Sequence, residues 1–440
     1  MTSVTTRSTL RTLQTLVLGF TICGSLLPVA LANGSQETTA YGLADRDIVG
    51  PFIAVALENN PELQAAEKRY QAARQSIDYA GALPNPRVQL THFVESIQTR
   101  TGPQRQAISL QQPLPWFGKL DTTRQIARSQ SESLWHSYAS QQFELADKIA
   151  SSVLEIAFLD KAIAITKQNA SLLNRLEAIV EDKVKAGGDL SDLLKIQVEA
   201  HRLEDTLASQ QTKRVMSLAT LQSLLGSDSE TLQLPSDWNA PSLASTREQE
   251  WLDAIRQRSP KLAMLRSLAE NQASRERLAQ FAAKPDLSVG INYIRTGQSL
   301  GSNAPDNGKD PWAIMVGISL PIWGKANNAI ALQASLEKEA MEADIRGLEL
   351  ELNATGKSLL ARLADSKARM IRYETKLLPL ARQAQEISAS SYQTGKASIL
   401  DLIDSERALL KLETEYWRAA ADAWQARWKL ASLAGGFWLN

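Results

Sequence analysis

Residues 114–119 read Leu-Pro-Trp-Phe-Gly-Lys, and residues 320–325 read Leu-Pro-Ile-Trp-Gly-Lys. Each copy follows two short runs in which apolar and polar residues alternate, and each precedes a long segment that is poor in helix breakers. The separation of about 200 residues is far longer than the period of a solenoid repeat. We interpret the pattern as a pseudo-twofold duplication in which neither half can bury its own surface alone.

The net charge and the N-terminal residues narrow the range of possible functions and locations. The chain has 440 residues, 22% of them charged, and a formal net charge of zero, so nothing electrostatic favours nucleic acid as a partner. Arg7 and Arg11 precede an apolar run over residues 13–27, and Ala-Leu-Ala follows at residues 30–32. This pattern predicts a secretory signal peptide over residues 1–32, with an N-terminal membrane anchor as the alternative.

The single cysteine, Cys23, lies inside the predicted signal peptide. Lipidation of this cysteine is the less favoured interpretation, because Ile22 stands where a lipoprotein signal carries a small residue. The mature chain is then expected to lack disulfides and thiolate chemistry. After residue 32 no window is apolar enough for a transmembrane helix, so we expect a periplasmic protein or an outer-membrane barrel.

Each half contains two strand-like runs that predict a β-hairpin, at residues 87–112 and 287–320. In both hairpins one face is apolar and the other is small or polar, which is typical of membrane strands; two soluble hairpins are the alternative. Aromatic residues at the strand ends fit an interfacial girdle. They are Trp116, Phe117, Trp312 and Trp323.

A long helical hairpin is predicted after each β-hairpin. At 1.5 Å per residue the first of these helices would be about 100 Å long. Pro379 marks a weak point in the second repeat. The predicted organisation is a signal peptide (1–32), a first repeat (48–226) with helical hairpin 119–225, a linker (227–247), and a second repeat (248–436) with helical hairpin 325–434.

The strand count constrains assembly. Two hairpins supply four strands, which cannot close a barrel, and open sheet edges are not tolerated in lipid. Several copies must therefore pool their strands if the chain spans a membrane. Their helices would then continue the barrel as a tube.

Several motifs together identify a family. They are Asn60-Pro61-Glu62-Leu63, Ala80-Gly81-Ala82-Leu83-Pro84-Asn85-Pro86, the two exit motifs, and Tyr392-Gln393-Thr394-Gly395 with Asp401 and Asp404. Through them the chain resembles the TolC family of outer-membrane efflux proteins over residues 48–436. The resemblance implies an α+β membrane protein, a homotrimer whose twelve-stranded β-barrel takes four strands from each chain and continues as a long α-helical coiled-coil periplasmic tunnel. The form of the motif at residues 112–119 is more like the CusC/CzcC heavy-metal branch.

The resemblance also implies a function and partners. It implies the exit duct of a tripartite efflux system in the outer membrane of a Gram-negative-type bacterium, exporting small molecules or metal ions. The implied partners are a periplasmic membrane-fusion adaptor and an inner-membrane pump, with the RND type favoured. The duct of a type I protein secretion system and a periplasmic coiled-coil scaffold or adaptor remain alternatives.

Chemistry-bearing clusters are not evident in the sequence. His92, His136 and His201 have no second histidine or cysteine three or four residues away, so no metal site is expected. Serine and histidine are too poorly grouped for a nucleophilic triad. We therefore expect no enzyme activity and no cofactor.

Asp401 and Asp404 lie three residues apart and so share a helix face near the predicted tip. In the family these positions line the periplasmic aperture, where threefold symmetry would make carboxylate rings that attract cations. The alternative is two ordinary acids in a first helical turn, favoured there by the helix dipole. Asp192 is the counterpart in a turn that is one residue shorter. A family arginine that helps to hold the entrance shut would fall at Ala397 and is absent.

The two helix reversals are the expected adaptor-docking tips, since they lie at the far ends of the helical hairpins. Gly395 is expected to adopt a positive φ, which a β-branched residue tolerates poorly. The candidate docking residues are Lys185, Gly187, Gly188, Tyr392, Gly395 and Lys396.

Overall fold

The computed structural model describes residues 48–226, Trp238, residues 247–299 and residues 305–436. The expected signal peptide with Cys23, and most of the predicted linker, lie outside the described residues. Within the linker, Trp238 is buried, with its ring centroid 5.7 Å from that of Trp417.

The described elements follow the same order in both halves. In the first half they are α1 (Gly50–Asn59), α2 (Pro61–Ala80), β1 (Arg87–His92), β2 (Gln98–Thr99), β3 (Gly102–Leu114), α3 (Lys119–Lys185) and α4 (Leu190–Leu225). In the second half they are α5 (Glu248–Arg258), α6 (Pro260–Gln280), β4 (Leu287–Thr296), β5 (Trp312–Ile318), α7 (Gly324–Arg372), α8 (Leu378–Gln393) and α9 (Ile399–Leu433).

The strands form one antiparallel sheet in the order β1-β3-β4-β5, with β2 paired to β3. The first predicted hairpin, 87–112, corresponds to β1 and β3, and β3 continues two residues beyond its predicted end, to Leu114. The short β2 folds back onto the start of β3, which extends the backbone pairing to Gly102.

The register builds two chemically distinct faces. Val88 pairs with Leu110, Leu110 with Ile291, and Ile291 with Ile314, so one apolar row crosses all four strands. These side chains are exposed, by 46% to 70%. The neighbouring row on the opposite face contains small or polar residues: Gln89, Ser109, Asn292 and Ala313. The face pattern expected from the sequence is therefore present, and it leaves an apolar surface uncovered in the single chain.

The long helices form two antiparallel hairpins. α3, with 67 residues, packs against α4, and α7 packs against α9. The weak point at Pro379 appears as a π-helical turn at Tyr373–Leu377 between α7 and α8. Proline lacks an N–H and its ring crowds the preceding turn, and a π-turn accommodates such a break. Among the described residues, no helix combines the length and apolar character that crossing a membrane requires.

Equivalent glycines end the return helix of each repeat. Gly226 (φ 66°) follows α4, and Gly435 (φ 58°) follows α9. A Cβ on Gly226 would lie 2.5 Å from the carbonyl oxygen of Asn59, and one on Gly435 would lie 2.6 Å from that of Arg258. Both carbonyls lie at the break between a short helix and the proline that starts the next. The duplication seen in the sequence is thus repeated in the packing.

We predict that Gly226→Ala destabilises the protein. A left-handed residue with a Cβ costs about 1–2 kcal/mol, and the contact with the Asn59 carbonyl adds to this cost. Gly347→Ala is the matched control: a Cβ there has nothing within 4 Å, and alanine in a helix is favoured over glycine by up to about 1 kcal/mol. Thermal unfolding in detergent should show a lower Tm for the first variant only. Equal Tm values for the two variants would contradict the assignment.

Candidate functional site at the tips of the helical hairpins

The tips of the two helical hairpins meet in one small core. The ends of α3 and α8 and the starts of α4 and α9 each contribute to it, so the two reversals form one body rather than two free loops. Its buried side chains are aliphatic except for one tyrosine: Val180, Ile196, Tyr392, Ile399, Leu402 and Ile403.

The turns around this core differ by one residue, as the sequence indicated. The first occupies residues 186–189 and the second residues 394–398. Gly187 has φ 97° and Gly395 has φ 73°, and a Cβ on either would have nothing within 4 Å. Substitution at these positions would therefore strain the backbone without causing a steric clash.

The candidate docking residues are not equally accessible. Lys185 is exposed, and its ammonium lies 3.0 Å from Glu181, while Gly187, Gly188, Gly395 and Lys396 are exposed on the turns. Tyr392 is only 7% exposed, and the ammonium of Lys183 lies 4.2 Å from its ring centroid. We correct the expectation for this residue: its side chain packs between the hairpins and does not face a partner in this conformation.

Asp401 closes a capping box at the start of α9. Its backbone N–H donates to the Ser398 hydroxyl, and its carboxylate accepts from the Ser398 backbone N–H at 3.0 Å. Hydrogen bonds from the side chain and the backbone of Ser398 lower the pKa of Asp401. The carboxylate is exposed, so capping the helix and facing a pore are compatible roles for it.

The other two candidate acids also have partners. The carboxylate of Asp404 lies 3.3 Å from the guanidinium of Arg407, and that of Asp192 lies 3.2 Å from the ammonium of Lys195. Burial, and to a smaller extent the charge of Asp192 in the first repeat, raise the pKa of Tyr392 in the second. The structure thus brings the candidate residues of both repeats to one end of the molecule.

An ionic bridge that the sequence reasoning missed joins the two hairpins. Arg407 on α9 donates to the buried Glu199 on α4, and Arg202 lies 3.3 Å from the same carboxylate. The bridge to Glu199 raises the pKa of Arg407. The signal available in the sequence was an acid, Glu199, next to Ala200 in the apolar stripe of α4. This bridge connects the repeats without an arginine at Ala397.

Each helical hairpin also contains a hydrogen bond between a glutamine on one helix and a glutamate on the other. Gln197 on α4 donates to Glu177 on α3 at 2.9 Å, and Gln385 on α8 donates to Glu406 on α9 at 2.5 Å. Burial raises the pKa of Glu406, against the hydrogen bond from Gln385. The acid and the amide thus occupy opposite helices in the two repeats.

The aromatic residues expected at a membrane interface lie at both ends of the sheet. Trp312 starts β5 opposite Tyr293, while Trp116, Phe117 and Trp323 lie at the other end, where the long helices begin. Phe117, Trp312 and Trp323 are largely exposed. A metal-binding group of three or more His, Cys, Asp or Glu residues is absent from the described parts of the chain.

The comparisons with known proteins agree with this architecture. The family described as outer membrane efflux protein matches residues 52–227 and 251–436, which is most of the chain. The chain belongs to the outer membrane efflux protein family. The two matched segments correspond to the two repeats. Membership supports the expectation that the protein acts in efflux at the outer membrane and is not an enzyme.

Individual members of this family are similar over nearly the whole chain. The cobalt-zinc-cadmium resistance protein CzcC of Cupriavidus metallidurans is 23% identical over 92% of this chain and 95% of that protein. The pyoverdine export outer membrane protein OpmQ of Pseudomonas putida is 22% identical over 88% and 85%. The solved outer membrane protein VceC of Vibrio cholerae has a TM-score of 0.75 at 20% identity, over 88% of this chain and 96% of that one. The TolC-like fold predicted from the sequence is confirmed.

We predict that Ser398→Ala loosens the first turn of α9. Loss of an N-cap hydroxyl costs about 1 kcal/mol, so hydrogen exchange of the bonded first-turn amides of Asp401 and Leu402 should accelerate about fivefold. Thr394→Ala is the control, because its hydroxyl lies on the same exposed turn but caps no helix start. Equal exchange in both variants would contradict the capping role.

This difference should also depend on pH. The pKa of Asp401 is lowered in the folded protein, so its contribution is present above the unfolded value and is lost as pH falls through the folded value. The difference between the parent and Ser398→Ala should therefore shrink in acid, once exchange is corrected for intrinsic rates, but it should not vanish, because the Ser398 hydroxyl still accepts from the Asp401 backbone N–H. A constant difference across this range would show that the bond from the Ser398 hydroxyl to the carboxylate contributes nothing.

Proposed function

We propose that the protein is the outer-membrane exit duct of a tripartite efflux system, which receives solute from an inner-membrane pump, with the RND type favoured, through a periplasmic adaptor. The observation that carries the proposal is the sheet. Its exposed apolar row faces outward as a lipid-facing surface would, and the row on the opposite face is small and polar. The long helical hairpins extend from the same end of all its long strands.

The assembly we propose is a homotrimer. The edge strands β1 and β5 lack a partner strand within the described residues. Unpaired backbone groups in lipid cost several kcal/mol each, so another copy has to cover both edges. Three copies of the four long strands would make a twelve-stranded barrel, and their α3, α4, α7, α8 and α9 helices would enclose the tunnel.

The tip core would then form the periplasmic aperture. Three copies would bring three Asp401 and three Asp404 carboxylates towards one axis, and Asp192 would add to the same field. Carboxylate rings attract cations in a pore. Opening would require the hairpins to separate, which the Arg407–Glu199 bridge and the buried Tyr392 oppose within each copy.

The exported solute is proposed to be a metal ion or a small molecule. The similarity to CzcC favours the metal-ion class, while the similarity to OpmQ supports a small organic solute. The middle of the polar face is uncharged, as Gln89, Ser109 and Asn292 illustrate. Such a lining discriminates little between solutes, so we assign selection to the pump and the tips.

We predict that the purified protein forms channels in planar bilayers that trivalent cations block from the tip side. Asp404→Asn and Asp401→Asn together should weaken the block and lower cation selectivity, because they remove six carboxylates from a trimer. Asp121→Asn is the control, since this exposed acid lies at the other end of α3. Unchanged block in the double variant would return both acids to ordinary helix-start roles. Failure of the parent to form channels would refute the proposed function.

We predict that Gly395→Val abolishes efflux in cells while the oligomer and its membrane insertion remain intact. Valine at φ 73° distorts the turn that we propose as a docking surface, and no steric clash disturbs the core beneath. Gly395→Asn is the control, because asparagine tolerates a left-handed conformation and should retain export. Normal tolerance of toxic metals or drugs with Gly395→Val would contradict the docking assignment.

A further inference from the structure

The two repeats correspond residue by residue, and the correspondence has consequences for assembly. In the β-hairpins, Val88 pairs with Leu110 as Val289 pairs with Val316. Counting forward from the equivalent Lys119 and Lys325 also aligns the buried positions of the long helices. Ala146, Ala150 and Leu154 of α3 then match Leu352, Gly356 and Leu360 of α7, and all six are buried.

Inside one chain the two repeats meet where β3 pairs with β4 and α3 packs against α6 and α9; we call this contact the seam. Because the repeats are equivalent, the seam serves as a template for the contact between copies. At this seam β3 pairs with β4, with Leu110 opposite Ile291. The equivalent strands are β5 and β1, which are the two edges. Transferring the register places Val316 of one copy opposite Leu90 of the next. Both side chains are about three-quarters exposed in the single chain, by 75% and 74%.

Four ion pairs join the two repeats across this seam. Asp286 accepts from the backbone N–H of Trp116 and from the ammonium of Lys119, both at 2.8 Å, which joins the start of β4 to the exit of the first repeat. Three further pairs join α3 to α6 or α9. They are Glu144–Lys261 at 2.9 Å, Asp147–Lys429 at 2.8 Å and Glu155–Arg418 at 2.6 Å.

The equivalent positions on the outer faces bring no opposite charges together. Counting from Pro84 and Pro285, Asn85 stands where the template has Asp286, so the pair becomes Asn85 with Lys325. The counterparts of the other three pairs follow from the same kind of counting. Pro61 and Pro260 align α2 with α6, and the N-cap residues Asp189 and Ser398 align α4 with α9. The resulting pairs are Leu350 with Glu62, Asn353 with Thr220, and Ala361 with Ser209; all eight residues are exposed.

The local structure at the second exit agrees with a seam that is incomplete in one chain. The backbone N–H of Ile322, the equivalent of Trp116, donates to Leu320 at 2.9 Å instead of to a carboxylate. Lys325 is exposed and forms no ion pair with any described residue. The face of α7 that matches the ion-paired face of α3 lines an open groove with Leu350 and Asn353.

We propose that, where a second copy docks β1, α2 and α4 against β5 and α7 in this transferred register, the interface lacks counterparts of these four ion pairs, which are among those that join the two repeats of one chain. The proposal rests on the oligomeric channel proposed above. Its consequence is mechanical and concerns the part of the molecule between the sheet and residue 155 of α3, where these pairs lie. There the two repeats of a chain move together and relative motion is concentrated between copies, while the tips beyond this part remain able to separate.

Cysteine cross-linking tests the register, since the only native cysteine is Cys23 in the predicted signal peptide. Leu90→Cys with Val316→Cys should give disulfide-linked oligomers in outer membranes under oxidation. Thr91→Cys with Val316→Cys should not, because the two side chains would point to opposite faces. Preferential cross-linking of Leu90→Cys with Ile318→Cys, a two-residue shift, would overturn this inference alone. A monomer without cross-links in any register would overturn the proposed channel as well.

Asn85→Asp tests the missing ion pair. It should install the carboxylate next to Lys325 of the adjacent copy and raise the temperature at which the oligomer dissociates in SDS by a few degrees, an increase that added salt removes. Asn85→Asp with Lys325→Gln should return to the parent value. An unchanged dissociation temperature for Asn85→Asp, or an equal rise in the double variant, would overturn the proposal.

Discussion

Unpaired backbone groups at the edges of a sheet are the constraint on which the rest of this structure depends. Four antiparallel strands present an apolar face, yet β1 and β5 each leave one side of their backbone without a partner within the described residues. Lipid offers no hydrogen bonds to such groups. A chain with this sheet can enter a membrane only as part of a closed ring of copies, and the long helices then follow as a tube.

Because the chain is duplicated, one kind of contact can join the two repeats within a copy and also join neighbouring copies in such a ring. The seam between the repeats combines strand pairing with ion pairs such as Asp286–Lys119. Exposed pairs of this kind contribute about 0–1 kcal/mol each, so they fix geometry more than they supply stability. A seam without them can form by the same strand pairing while remaining easier to shift.

At the other end of the helices, the aperture that we propose combines order with the capacity to open. The tip core contains few buried side chains, and polar links such as Arg407–Glu199 and Gln385–Glu406 supplement it. Elements that must move are drawn from the less stable parts of a fold. A small aliphatic core with a few specific polar contacts can close reproducibly and still separate when a partner binds.

The sequence by itself determined the features that depend on local periodicity and on special backbone conformations. The alternation around Val88 and Ile291, the breaks at Asn60-Pro61 and Gly395, and the repeated exit motif each express a preference of neighbouring residues. The tertiary structure alone decided which distant residues meet. Tyr392 became buried and Glu199 found Arg407 because helix ends far apart in the chain converge, and no local pattern encodes that distance. The unequal charges at the two seams likewise became visible only once the register had paired each residue with its partner.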